Sequence, residues 1–180
     1  MVQTLLIAIL LIPLVAALAV AFGPTSRAKT IALLGTLIHL VAVLYAASVF
    51  DWRSEGTAIP LQGESATAWI SQLGINLTLG LDSVAMMLLI LTGILGPICV
   101  LASFTAITTR ERTYYAWLLV LQAAMSGVFC ARDVILFYIC FEFTLIPMFI
   151  LISLYGSTNR RAAAIKFFLY TFTGSIIALA

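Results

Sequence analysis

A single carboxylate, Glu142, stands in the apolar run FYICFEFTLIPMFILISLYG, residues 137–156. An acid in such surroundings has one natural chemistry, which is taking up and releasing a proton. Residues eight positions into a helix lie about 12 Å from its start, near the middle of a hydrocarbon layer about 30 Å thick. Glu142 is that far from Val134, where its apolar run begins. An ionised acid at that depth costs roughly 2.5–3.5 kcal/mol. It must therefore be protonated there, or be kept charged by a cation or by water. A group balanced between these states suits a proton relay. The plainer reading is a protonated glutamic acid that only bonds a neighbouring helix.

Helical spacing gives Glu142 a face. Tyr138 lies one turn before it and Ser153 three turns after, with Leu145, Ile146 and Phe149 on the same side. That face is expected to meet other helices and not lipid. Pro147 follows five residues later and frees the carbonyl of Phe143. A kink is expected there, and the freed carbonyl can hold a water or a side-chain donor. Kinks of this kind also occur in membrane helices without any functional part.

Lys166 is the other charge inside an apolar run. Its stem is long enough to snorkel back to the surface. Alternatively, Lys166, Tyr170 and Thr173 form a polar stripe on one helix face that leads protons toward Glu142. His39 sits alone among apolar residues and reads as a satisfied core histidine before it reads as a relay. Cys99, Cys130 and Cys140 form no CxxC pair and read as small buried hydrophobes. TGILGP, residues 92–97, is expected to bend its helix or admit a close neighbour, and Ala123 with Gly127 makes a small-xxx-small packing pair. No glycine-rich phosphate loop, Ser–His–Asp set or metal-ligand spacing accompanies them.

The elements that hold these residues follow from composition. Of the 180 residues, 63% are hydrophobic and 9% charged, with mean hydropathy +1.18. Soluble domains average about 45–50% apolar and about 25% charged residues, so the partner of this surface is a lipid bilayer. A net charge of +2 gives no reason to expect a nucleic-acid partner. Runs at about 2–22, 30–50, 83–104, 113–129, 134–155 and 162–180 have the length and character of spans. The expected fold is an all-α, polytopic transmembrane helix bundle of about six spans in one membrane domain. No basic residue precedes the first run, which argues for a retained span over a cleaved signal peptide.

Charge placement orients the bundle. The connections after spans one, three and five hold Arg27, Lys29, Arg110, Arg112, Arg160 and Arg161 against one acid, Glu111. The opposite side holds Arg53 and Arg132 against Asp51, Glu55, Glu64, Asp82 and Asp133. The positive-inside rule then puts the N-terminus outside. The long connection 51–82 is expected to cover the helix ends on that outer side. Its INLTL segment alternates like a short strand or hairpin arm.

Three stretches carry a family resemblance: GLDSVAMMLLILTGILGPICVLAS, GVFCARDVILFYICFEFTLIPMFILISLYG and AAAIKFFLYTFTGS. They resemble the proton-translocating subunit M (chain 4) of NADH-quinone oxidoreductase, respiratory complex I. The match is strong from about residue 79 onward and rests on hydropathy and order before that. The resemblance implies that Glu142 is the span-five glutamate, which sets the proton affinity of a lysine in later spans. It equates Lys166 with the KFF lysine and Pro147 with the proline after the glutamate. It implies a bacterial inner (plasma) membrane, ahead of the mitochondrial one, and other complex I membrane subunits as partners. No cofactor is expected in this chain, with NADH, FMN, iron–sulfur centres and quinone on those partners. The family has about fourteen spans, so we expect a fragment or the first piece of a split subunit, its C-terminal part being a further partner. An Mrp-type cation/proton antiporter or membrane-bound hydrogenase subunit is the alternative transporter. A non-transporting membrane scaffold is the alternative of another class.

Overall fold

A computed structural model describes the backbone of residues 2–50, 52, 62–70 and 75–179. The charges at Asp51, Arg53 and Glu55 lie outside the described residues, as does the side chain of Glu64. Among the described residues six α-helices are formed: α1 (Val2–Phe22), α2 (Ala28–Val49), α3 (Ser83–Ala106), α4 (Glu111–Cys130), α5 (Val134–Tyr155) and α6 (Arg160–Leu179). A short 3-10 turn, Thr25–Arg27, leads into α2. The first five helices are each long and apolar enough to cross a membrane, and α6 matches them in length at 20 residues. The chain is a multi-pass membrane bundle. The long connection adds an antiparallel hairpin, β1 (Gln62–Ile70) and β2 (Ile75–Leu81). The INLTL segment is its second arm.

Loop contacts show which helix ends lie together. At one end, Lys29 pairs with Glu111 at 3.0 Å and also donates to the Phe104 carbonyl. Arg112 donates to the Ala21 carbonyl, and the Tyr155 hydroxyl donates to the Arg110 carbonyl at 2.8 Å. The connections after α1, α3 and α5 therefore converge on one basic end. At the other end β2 reaches the α4–α5 connection, where Arg132 N–H donates to the Thr78 carbonyl. Arg132 also pairs with Asp82 at 3.3 Å. Asp82 caps α3 through Ala85 N–H, and Asp133 caps α5 through Ile135 and Leu136 N–H. Each cap satisfies backbone donors that the first turn leaves free.

Helix α4 is the hub, packed against α1, α2, α3 and α5. Small residues let its neighbours approach. Gly127 receives Cys140 of α5 and Leu10 of α1. A Cβ on Gly96 of TGILGP would stand 2.5 Å from the Gln122 amide, so glycine there makes room for that side chain. The space matters because Gln122, His39 and Ser126 form a closed polar circuit inside the bundle. Gln122 Nε2 donates to His39 Nδ1 at 2.8 Å, and His39 Nε2–H donates to Ser126 Oγ at 3.3 Å. Ser126 returns its proton to the Gln122 carbonyl at 2.9 Å. His39 is fully buried and satisfied on both ring nitrogens. The cysteines divide: Cys130 is buried and Cys140 partly so, but Cys99 is exposed. The reading of all three as buried is corrected there, because Cys99 lies on the outer face of α3.

His39→Leu strands the Gln122 amide without its ring partner, which costs about 1–3 kcal/mol. Thermal unfolding of the complete subunit in its assembly is expected to show that loss. The double variant His39→Leu/Gln122→Leu is expected to lose less than the two single losses together. Strict additivity would contradict the circuit.

Candidate functional site

Glu142 meets α6. Its Oε1 accepts a hydrogen bond from the hydroxyl of Ser175. Phe149 packs edge-on against Phe168, with ring centroids 5.9 Å apart. Phe149 lies seven residues after Glu142, and Phe168 seven before Ser175. Seven residues are close to two helical turns, so the contacts repeat in step along an antiparallel pair. That register brings Ser175 to the depth of Glu142. Ser175 was not singled out from sequence. Its signal lies in the pairing of α5 with α6, and the spacing within either helix does not contain it.

The Ser175 hydroxyl has two acceptors and one proton. It also lies 2.8 Å from the carbonyl of Phe172 on its own helix. With Glu142 ionised, the proton points at the carboxylate. With Glu142 protonated, the acid can donate to Ser175 Oγ while the hydroxyl turns to Phe172. The pair accommodates both states without moving a helix.

The face foreseen for Glu142 is only partly covered. Leu145 is buried, together with Thr144 and Pro147, but Ile146 remains 44% exposed. The reason is position: α5 packs between α4 on one side and α6 on the other, which leaves an open strip. Helix α5 runs unbroken through Pro147. Tyr138 and Tyr170 line a groove of about 520 Å³ between α5 and α6, together with Phe137, Phe141, Gly174 and Ser175.

The stripe of Lys166, Tyr170 and Thr173 lies on an open face of α6. All three are exposed, Tyr170 at 76%. At 100° per residue, Lys166 and Thr173 fall on the side of α6 opposite Ser175. Ser175 and Phe168 take the face against α5, so the stripe points away from Glu142. Only Tyr170 reaches the rim of the groove that Ser175 lines.

Comparison with known proteins agrees with this architecture. Residues 63–127 match the family described as NADH-ubiquinone oxidoreductase chain 4, amino terminus. Residues 131–180 match the NADH:quinone oxidoreductase/Mrp antiporter transmembrane family. The chain belongs to the chain 4 (subunit M) family. NADH-quinone oxidoreductase subunit M of Rhodobacter capsulatus is 39% identical over 98% of this chain and 35% of its own length. NAD(P)H-quinone oxidoreductase chain 4 of Nostoc sp. is 37% identical over 97% of this chain and 32% of its own length. Subunit M of the F(420)H(2) dehydrogenase of Methanosarcina mazei is 36% identical over 95% and 34%. The chain thus spans about a third of the length of the curated relatives it matches. Respiratory complex I from Thermus thermophilus shares the fold with TM-score 0.77 at 24% identity, covering 97% of this chain and 33% of that one. An archaeal membrane-bound sulfane sulfur reductase does so with TM-score 0.76 at 19% identity, covering 95% and 26%.

Ser175→Ala removes the hydroxyl while leaving Glu142 in place. In the complete subunit, the infrared carboxyl band assigned by Glu142→Gln difference is expected to shift in Ser175→Ala. An unmoved band would show that the two side chains do not meet in the membrane.

Proposed function

We propose that this chain is the N-terminal part of a proton-pumping membrane subunit of NADH-quinone oxidoreductase, in which Glu142 is a proton-handling carboxylate. The observation that carries the proposal is a mid-span acid whose hydroxyl partner suits it in either protonation state. Quinone reduction elsewhere in the complex would change the charge felt at Glu142. Its proton would then be taken up or released against a lysine in a later span. Lys166 faces outward from the bundle, and we place it on the route by which protons reach that part of the subunit. Tyr138, Tyr170 and Thr173 are secondary candidates for the same route, and Pro147 holds the backbone next to Glu142.

NADH, flavin, iron–sulfur centres and quinone belong on partner subunits in this reading. The relatives support that division of labour. They include an NADH, an NAD(P)H and an F(420)H(2) enzyme at similar identity, so the electron donor is chosen outside this membrane segment. The remaining two thirds of the subunit and the adjoining membrane subunits are its partners. We place the complex in a bacterial inner membrane, with the basic end inside and the N-terminus outside.

The Mrp-type antiporter is the second transporter reading, because the family matched by residues 131–180 includes it. The chain 4 match at residues 63–127 favours NADH-quinone oxidoreductase. A scaffold would need Glu142 only for packing.

Glu142→Gln in the complete subunit is expected to cut quinone-coupled proton pumping at least about tenfold, in keeping with the usual worth of a positioned acid or base. The complex is expected to assemble. Pumping by inverted vesicles, normalised to the amount of assembled complex, is the measurement. Undiminished pumping would leave Glu142 as a packing residue and favour the scaffold.

A further inference from the structure

The basic end holds a cavity of about 900 Å³ between α1 and α4. That is at the upper end of the roughly 300–1,000 Å³ found for small-molecule sites. One wall is the α1 face of Leu14, Ala17, Leu18 and Ala21, and the other is Ala116, Trp117 and Val120 of α4. The alanines leave the space. The α1 wall descends seven residues, about 10 Å into the span. The rim is of opposite character, with Arg110, Arg112 and Thr108 at the mouth.

Arg112 is held by its guanidinium and Arg110 by its backbone. Arg112 donates to the Ala21 carbonyl, which sets its guanidinium at the end of α1 and leaves its other nitrogens available. Arg110 has a left-handed backbone, φ 51°, and its carbonyl is tied to the Tyr155 hydroxyl. Glu111 also lines the rim, but its charge is taken by Lys29 at 3.0 Å. The mouth therefore keeps two positive charges. Trp117 stands below them, and tryptophan favours the headgroup level of a bilayer.

A soluble anion has no use for the apolar wall, and an apolar helix has none for two guanidiniums. A phospholipid with an anionic headgroup uses both. Basic pockets between spans, on the side where Lys and Arg collect, suit such headgroups. We propose that this cavity binds one anionic membrane phospholipid, its phosphate on Arg110 and Arg112 and its acyl chains along the α1 and α4 walls. The lipid would seal the seam between α1 and the hub helix α4. This site is separate from Glu142, and its test does not depend on proton pumping.

The test uses the complete subunit in its assembled complex, reconstituted in phosphatidylcholine with a small fraction of phosphatidylglycerol and then taken up in mild detergent. Phosphatidylglycerol retained per complex is measured by mass spectrometry. Each guanidinium at a membrane surface is worth about a five-fold gain in affinity, so Arg110→Gln/Arg112→Gln is expected to weaken retention about thirty-fold. Arg110→Lys/Arg112→Lys is expected to keep most of it. Ala116→Phe fills the cavity, leaves both charges, and is expected to lose the lipid too. Equal retention in the glutamine double variant would overturn the proposal. So would full retention in Ala116→Phe, or removal of the lipid by excess inorganic phosphate, since either outcome makes the site an anion site without use for the wall.

Discussion

Hydrocarbon supplies no hydrogen bonds, so a polar atom within the bundle needs its partner in protein, the buried Tyr115 hydroxyl being an exception. The rest of the structure depends on that constraint. It makes the backbone helical, and it decides where the helices can be placed against each other. A polar side chain inside one helix draws in another helix that can satisfy it. His39 of α2 requires Gln122 and Ser126 of α4, and Glu142 of α5 meets Ser175 of α6. Apolar packing then fills in around these fixed points. The cluster of Leu6, Ile9, Val43, Met86 and Leu89 lies toward the hairpin end, and that of Val20, Ala28, Val100, Tyr115 and Leu119 toward the basic end.

The charges outside the hydrocarbon perform a different task. Lys29 with Glu111, and Arg132 with Asp82, join loops far apart in sequence but on the same side. Both pairs are only partly buried, and such pairs contribute modestly to stability. Their value is positional, because each brings together the ends of helices that have no short connection. Arg110 and Arg112 stay at the rim of the α1–α4 cavity with their charges uncancelled, which sets that end apart from one closed by ion pairs alone.

The six helices and the hairpin arm were legible in the sequence because each is written locally. An apolar run of membrane length is sufficient for a span, and alternation in INLTL is sufficient for a strand. The position of Glu142 along its span was also legible, since α5 begins where the apolar run does. The partner of Glu142 was not. Ser175 lies 33 positions away, and only the antiparallel register of α5 with α6 brings it near. The direction in which the stripe of Lys166, Tyr170 and Thr173 faces was hidden for the same reason. Spacing shows that three residues share a face, but not which way that face is turned. Gln122 and Ser126 carried a faint signal as polar residues in an apolar run, beside the packing pair Ala123 and Gly127.

The buried His39 site and the partly buried Glu142 site differ in one respect that bears on proton handling. In the His39 circuit both ring nitrogens already have side-chain partners on α4, Nδ1 in the Gln122 amide and Nε2 in the Ser126 hydroxyl. Adding a proton there requires the Gln122 amide to turn its oxygen to the ring. At Glu142 the count is uneven, because the Ser175 hydroxyl has a second acceptor in the Phe172 carbonyl. The acid can gain or lose a proton while the hydroxyl rotates, and no buried group is left unpaired in either state. A closed circuit fixes two helices together. An open one lets charge change at nearly constant structure, as the proton-handling role proposed for Glu142 requires.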